Sequence, residues 1–249
     1  MHALTGAGLF GLATSMSTWL LPLTPIRYRG HVTRADQKVT MRAFVETLPS
    51  TTPDAPVILV VGTSMSAGKT TTARIVVRML AERGLRGVAT KLTGAARYRD
   101  SLSCLDVGAD YVLDFVDAGL PSTVCPATRY AAALDHLLTR IAMLKPDVIV
   151  AEAGASPMEP YNGATACDRL KPLVTLSILC ASDPYAVLGV QNAFQLRPDI
   201  VAGPAANTTA AVELVKKLTG VRALNLRDAG AAEELRMLLD RKIVAPLQT

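Results

Sequence analysis

Residues 57 to 72 constrain the fold of this chain more than any other stretch. Val57-Ile58-Leu59-Val60-Val61 is a short, wholly apolar run, followed by Gly62-Thr63-Ser64-Met65-Ser66-Ala67-Gly68 and then by Lys69-Thr70-Thr71-Thr72. A buried strand, a loop of small residues and a helix start, in that order, predict a phosphate-binding loop, or P-loop. Such a loop wraps phosphate oxygens with inward-pointing backbone N–H groups, and the helix behind it adds the positive end of its dipole. Lys69 supplies a full positive charge, and the Thr70 hydroxyl is suited to holding Mg²⁺. The candidate binding set is Gly62, Thr63, Ser64, Ser66, Ala67, Gly68, Lys69, Thr70 and Thr71. Five residues separate Gly62 from Gly68-Lys69, one more than the usual four, and Thr63 stands at the usual glycine position. Phosphate binding by such a loop need not imply ATP hydrolysis.

A wholly apolar strand that feeds a helix belongs in a parallel sheet covered on both faces. The rest of the chain repeats the pattern. Strands are expected at Val57 to Val61, Gly87 to Lys91, Val148 to Ala151, Leu173 to Leu179, Ile200 to Ala202 and Val221 to Leu226. Helices are expected at Thr70 to Arg83, Tyr130 to Leu144, Pro184 to Gln195 with Asp183 as N-cap, Thr208 to Leu218 and Ala232 to Lys242. Half of the 249 residues are hydrophobic but only 4% aromatic, so Ala, Val and Leu fill the interior, as helices packed on a parallel sheet require. The expected architecture is α/β, a mostly parallel sheet with helices on both faces in the manner of P-loop NTPases, occupying 57–249. Ahead of it, residues 1–48 read as a small extension. Alternation at Ile26 to Arg29 and Val39 to Arg42, around a polar turn near Ala35-Asp36-Gln37, suggests a β-hairpin there, and 49–56 reads as a linker.

Two further segments bring chemistry to the sheet edge that carries the loop. Pro146 to Ala155 is an apolar strand ending in Glu152, and in open parallel sheets ligands gather at the strands' carboxyl ends. Glu152 is therefore the candidate to coordinate or position water around Mg²⁺ opposite Thr70. Lys91 ends the strand after the P-loop helix and is the candidate partner of phosphate or a substrate carboxylate; Lys69, Lys91 and Glu152 form the candidate catalytic set. Asp100, Asp106, Asp110, Asp114 and Asp117 form an acidic stretch from which Asp100 or Asp106 could reach a metal. Asn207 stands before a helix, as its cap or as a partner for a base edge. With no Asn-Lys-x-Asp signature, adenine is favoured over guanine.

Several classes fall away. The net charge of +5 is spread along the chain without basic runs or interleaved aromatics, which argues against nucleic acid and suits a small, anionic substrate. Four cysteines with no Cys-x-x-Cys pair signal neither zinc nor a disulfide framework, and the three histidines are scattered. Gly6-Ala7-Gly8-Leu9-Phe10-Gly11 fits a dinucleotide fingerprint, but no strand precedes it, so a loop is expected. Leu4 to Leu23 is fairly apolar, yet interrupted by Thr, Ser and Pro and without a basic lead-in. The expectation is a cytoplasmic chain with no membrane span.

The spacing Gly62-Thr63-x-x-x-x-Gly68-Lys69-Thr70 resembles dethiobiotin synthetase and its relatives, although Ser64 and Ser66 stand where that enzyme has Asp and Gly. With Lys91, the Val148 to Gly154 segment, Asp114-Phe115-Val116 and Asn207-Thr208, residues 57 to 226 also resemble a bacterial P-loop family that includes a D-glutamate N-acetyltransferase. The first likeness implies an ATP- and Mg²⁺-dependent ligase or kinase acting on a small carboxylate. The second implies an acyltransferase whose loop grips the phosphates of acetyl-CoA. P-loop proteins of this kind also serve as nucleotide-gated switches or metallochaperones. The resemblance admits a homodimer.

Overall fold

A computed structural model describes residues 1–4, 9–154 and 156–247. Seven strands form one parallel sheet: β1 (Val57–Gly62), β2 (Gly87–Thr93), β3 (Tyr111–Asp114), β4 (Val148–Ala153), β5 (Val174–Cys180), β6 (Ile200–Ala202) and β7 (Arg222–Ala223). Their spatial order is β7-β6-β5-β1-β4-β2-β3, with every pair parallel. The P-loop strand therefore lies at the centre, between β4 and β5.

Period-two geometry divides the core. Val57, Leu59 and Val61 face one side, with α3 (Ala127–Met143), α4 (Gly163–Leu170), α5 (Pro184–Phe194) and α6 (Thr209–Thr219). Ile58 and Val60 face the other, with α1 (Lys69–Ala81), α2 (Tyr98–Leu105) and α7 (Ala229–Leu239). Each of the five is fully or almost fully buried, so full burial of each side chain contributes about 1.5–3 kcal/mol of transfer free energy. The α/β fold with helices on both faces is as the sequence implies.

Asp183 caps α5 by accepting from the Tyr185 and Ala186 N–H groups at 2.9 and 3.0 Å. Other details differ from expectation. α2, α4 and the edge strand β3 were not foreseen: α2 is short and polar, α4 opens on small residues, and β3 holds four residues beside an acidic run. Tertiary packing supplies what their propensities lack. β7 pairs over two residues only, because the chain turns away after Ala223. At the N-terminal side, Thr33–Arg34 pairs with Gln37–Lys38 around Ala35 and Asp36. Met41–Phe44 forms a 3₁₀ turn rather than a returning strand, and 45–54 runs without regular structure. Phe10–Gly11 pairs with His2–Ala3, whereas Gly6, Ala7 and Gly8 of the glycine motif lie outside the described residues. All four cysteines are free thiols. Among the described residues, no helix is long and apolar enough to cross a membrane.

Candidate functional site

The loop from Gly62 to Gly68 leaves the carboxyl end of β1 and turns into α1 at Lys69. Lys69 is 2% exposed, and its ammonium lies inside the loop's curve, donating to the Ser64 carbonyl at 2.6 Å. Gly62 makes that course available: a Cβ there would sit 2.6 to 2.9 Å from the Lys69 Cδ, Cγ and Nζ atoms. The Thr63 N–H donates to the Cys180 carbonyl at 3.0 Å, and the Thr63 hydroxyl accepts from the Ser182 N–H at 3.1 Å. Thr63 thus ties the loop to the end of β5. Ala67 is buried, while Ser66 and Thr71 are exposed.

Glu152 comes to the same place because β4 neighbours β1, with Val60 and Glu152 in register. Thr70 Oγ1 donates to Glu152 Oε1 at 3.2 Å. Burial pushes the Glu152 carboxyl above its ordinary range, against the opposing pull of Lys91, Lys69 and the Thr70 hydroxyl. Burial likewise draws Lys69 below the usual ammonium value, although Glu152 opposes it. Desolvation thus works against the charged form of both groups, while each group's charge supports the other's.

Lys91 sits on β2 in register with Glu152 on one side and Asp114 on the other. Its ammonium is 2.6 Å from Asp100 Oδ2 on α2. Of the two acids that the acidic stretch left open, Asp100 reaches the site and Asp106 caps the far end of α2. Asp114 is buried, and desolvation raises its pKa; Val116 N–H and the Ser101 hydroxyl donate to it.

Asn207 departs from its sequence reading as a cap. Thr208 is the N-cap of α6, with its hydroxyl accepting from the Ala211 N–H at 3.2 Å. The Asn207 side chain is left exposed just past the turn that follows β6. That turn contains a residue the sequence reading passed over. Gly203 has φ +84, and a Cβ on it would overlap the Ala67 carbonyl oxygen, so only glycine lets the β6 turn close on the loop. The Gly203-Pro204 pair directly after a strand was the available signal.

Together these features place an ammonium, a hydroxyl, a carboxylate and a second ammonium held by an acid around one concave loop at the carboxyl edge of a parallel sheet. They define a P-loop domain. Residues 44–242 match the family described as "Domain of unknown function (DUF1611_C) P-loop domain", and the chain belongs to that family. No curated protein matches it. Among solved structures, it is similar to chloroplast FtsY from Physcomitrella patens, at 16% identity and a TM-score of 0.49 over 74% of this chain and 62% of that one. It is also similar to hydrogenase maturation factor HypB from Archaeoglobus fulgidus, at 12% identity and a TM-score of 0.49 over 75% of this chain and 89% of that one. HypB from Helicobacter pylori, in complex with nickel, gives 16% identity and a TM-score of 0.48 over 78% and 90%. The chain thus spans under two thirds of the FtsY structure's length.

Proposed function

We propose that this chain binds ATP with Mg²⁺ at the Gly62 to Thr71 loop and transfers the terminal phosphoryl group to a small carboxylate. The observation that carries the reading is the Thr70–Glu152 pair at 3.2 Å beside a buried Lys69. A hydroxyl and a carboxylate are hard oxygen donors, and Mg²⁺ takes one or two of these together with phosphate oxygens and water. The residues present fit that ion: Thr70 and Glu152 would hold it, and when bound it supplies charge neutralisation across the phosphate oxygens. Lys69, now on the Ser64 carbonyl, swings onto the terminal phosphate and stabilises the charge that develops there. The loop N–H groups and the start of α1 hold the remaining phosphate oxygens. Lys91 orients the substrate carboxylate, with Asp100 fixing its position until substrate arrives. Asn207, exposed after the β6 turn, would serve the base edge.

A coenzyme A-dependent acyl transfer would use the same loop for phosphates but leaves the Thr70–Glu152 pair without a task, so metal dependence separates the two. The test is a thermal-shift screen of ATP, GTP and acetyl-CoA, each with and without Mg²⁺. ATP with Mg²⁺ at about a hundredfold excess over Kd should stabilise by about 2.7 kcal/mol, a rise of roughly 5–10 °C in Tm. The Lys69→Ala variant should lose the shift, and Thr70→Ala and Glu152→Gln should lose its Mg²⁺ dependence. No shift with any nucleotide overturns the reading. A metal-independent shift with acetyl-CoA alone moves it to acyl transfer, and slow hydrolysis that only a partner accelerates moves it to a switch.

A further inference from the structure

Two apolar surfaces of this chain outside the P-loop face solvent, and their charges are complementary. The first is the N-terminal arm. Phe10, Leu12, Trp19, Leu20 and Leu21 are exposed, Trp19 to 95% of its surface. Residues 1–35 hold Arg27, Arg29 and Arg34 and no Asp or Glu. These arginines and Lys38 are exposed, and among the described residues none has an ion-pair partner.

The second surface is a groove of about 840 Å³ between α2 and β3. Tyr98, Leu102, Leu105, Tyr111 and Val116 line it, with Tyr98 74% exposed. β3 is the last strand of the sheet, so one row of its backbone donors and acceptors has no neighbouring strand among the described residues. Residues 100–117 contain five Asp and no Lys or Arg. Asp100 is taken by Lys91, but Asp110 and Asp117, which line the groove with Asp114, have no cationic partner among the described residues, and Arg97 and Arg99 stand at the α2 end of the groove. The arm is rooted beside this groove: Arg42 and Val45 pack on Gly119, two residues past Asp117.

We infer that the arm of one copy of this chain, within residues 9–34, docks in the α2–β3 groove of a second copy, reciprocally across a two-fold axis. Exposed apolar runs of this kind mark an interaction surface. Here both halves of the contact, a basic apolar arm and an acidic apolar groove, are on every copy. An isologous exchange therefore satisfies both at once and closes without leaving a free surface for further growth. Because α2 also carries Asp100, the docked arm would bear on the helix that holds Lys91.

The experiment is sedimentation velocity of the full chain over a concentration series, read together with the emission of Trp19, the sole tryptophan. The expected result is a dimer whose Trp19 emission shifts to the blue as concentration rises. A groove variant, Tyr98→Glu with Leu105→Glu, should be monomeric with red-shifted emission. So should an arm variant, Leu20→Glu with Leu21→Glu, which alters only exposed positions. Mixing the two should restore a dimer and the blue shift of the intact arm's tryptophan, an outcome that misfolding of either variant would not give. A monomer at every concentration overturns the inference. So does a monomer with blue-shifted emission, which is the arm closing on its own groove. A dimer indifferent to both variants, or an emission shift only with anionic lipid vesicles, likewise overturns it.

Discussion

Lys69 and Glu152 are buried charges of opposite sign, and desolvation draws both toward the neutral form. For Glu152 the sign of the pH effect follows directly. Its folded-state pKa is raised above the ordinary 4.5, so the protonated acid stabilises the unliganded fold at low pH, and that contribution is lost as pH rises through the raised value. Metal binding runs the other way, because it needs the carboxylate. Mg²⁺-dependent nucleotide affinity should fall as pH drops through the raised Glu152 value, at a higher pH than an ordinary carboxylate would give. Calorimetry on wild type and Glu152→Gln checks this: the variant should bind weakly, with that pH dependence flattened. An unchanged profile in the variant would remove Glu152 from the metal site.

At the scale of elements, the site depends on turns as much as on side chains. Gly203→Ala forces a Cβ into the Ala67 carbonyl at a positive φ, so the β6 turn must move off the loop at a cost of about 1–3 kcal/mol. Nucleotide affinity should fall by up to roughly 5- to 150-fold, read by titration calorimetry, while far-ultraviolet circular dichroism stays that of the wild type. Asp183→Ala removes two hydrogen bonds from the start of α5 and should cost about 1 kcal/mol, or roughly 2–4 °C in Tm. Asp183 could be read from the sequence because N-capping is local. α2, α4 and β3 could not, because each is held by contacts with other elements: α4, for instance, by the Asn162 amide at its start, which donates to the Thr123 and Cys125 carbonyls.

For the whole molecule, the buried apolar core begins at Val57, and among the described residues only Pro53 is buried ahead of it. Removing residues 1–40, which leaves the 3₁₀ turn against Gly119 in place, should therefore keep the sheet folded. At low protein concentration its Tm should stay within about 3 °C of the full chain's, by differential scanning calorimetry. A large loss would mean that the arm belongs to the core. The sequence by itself determined the central strand, the loop and the helix of the P-loop, because a buried apolar run, small loop residues and a helix start are all local requirements. It also placed Lys91 and Glu152 at strand ends, and hence at one edge of any parallel sheet. Only the tertiary structure decided that β4 lies beside β1, which puts Glu152 on Thr70, that Asp100 rather than Asp106 meets Lys91, and that Thr208 rather than Asn207 caps α6. Strand order, and the approach of Gly203 to Ala67, arise from packing between segments far apart along the chain, which no local pattern encodes.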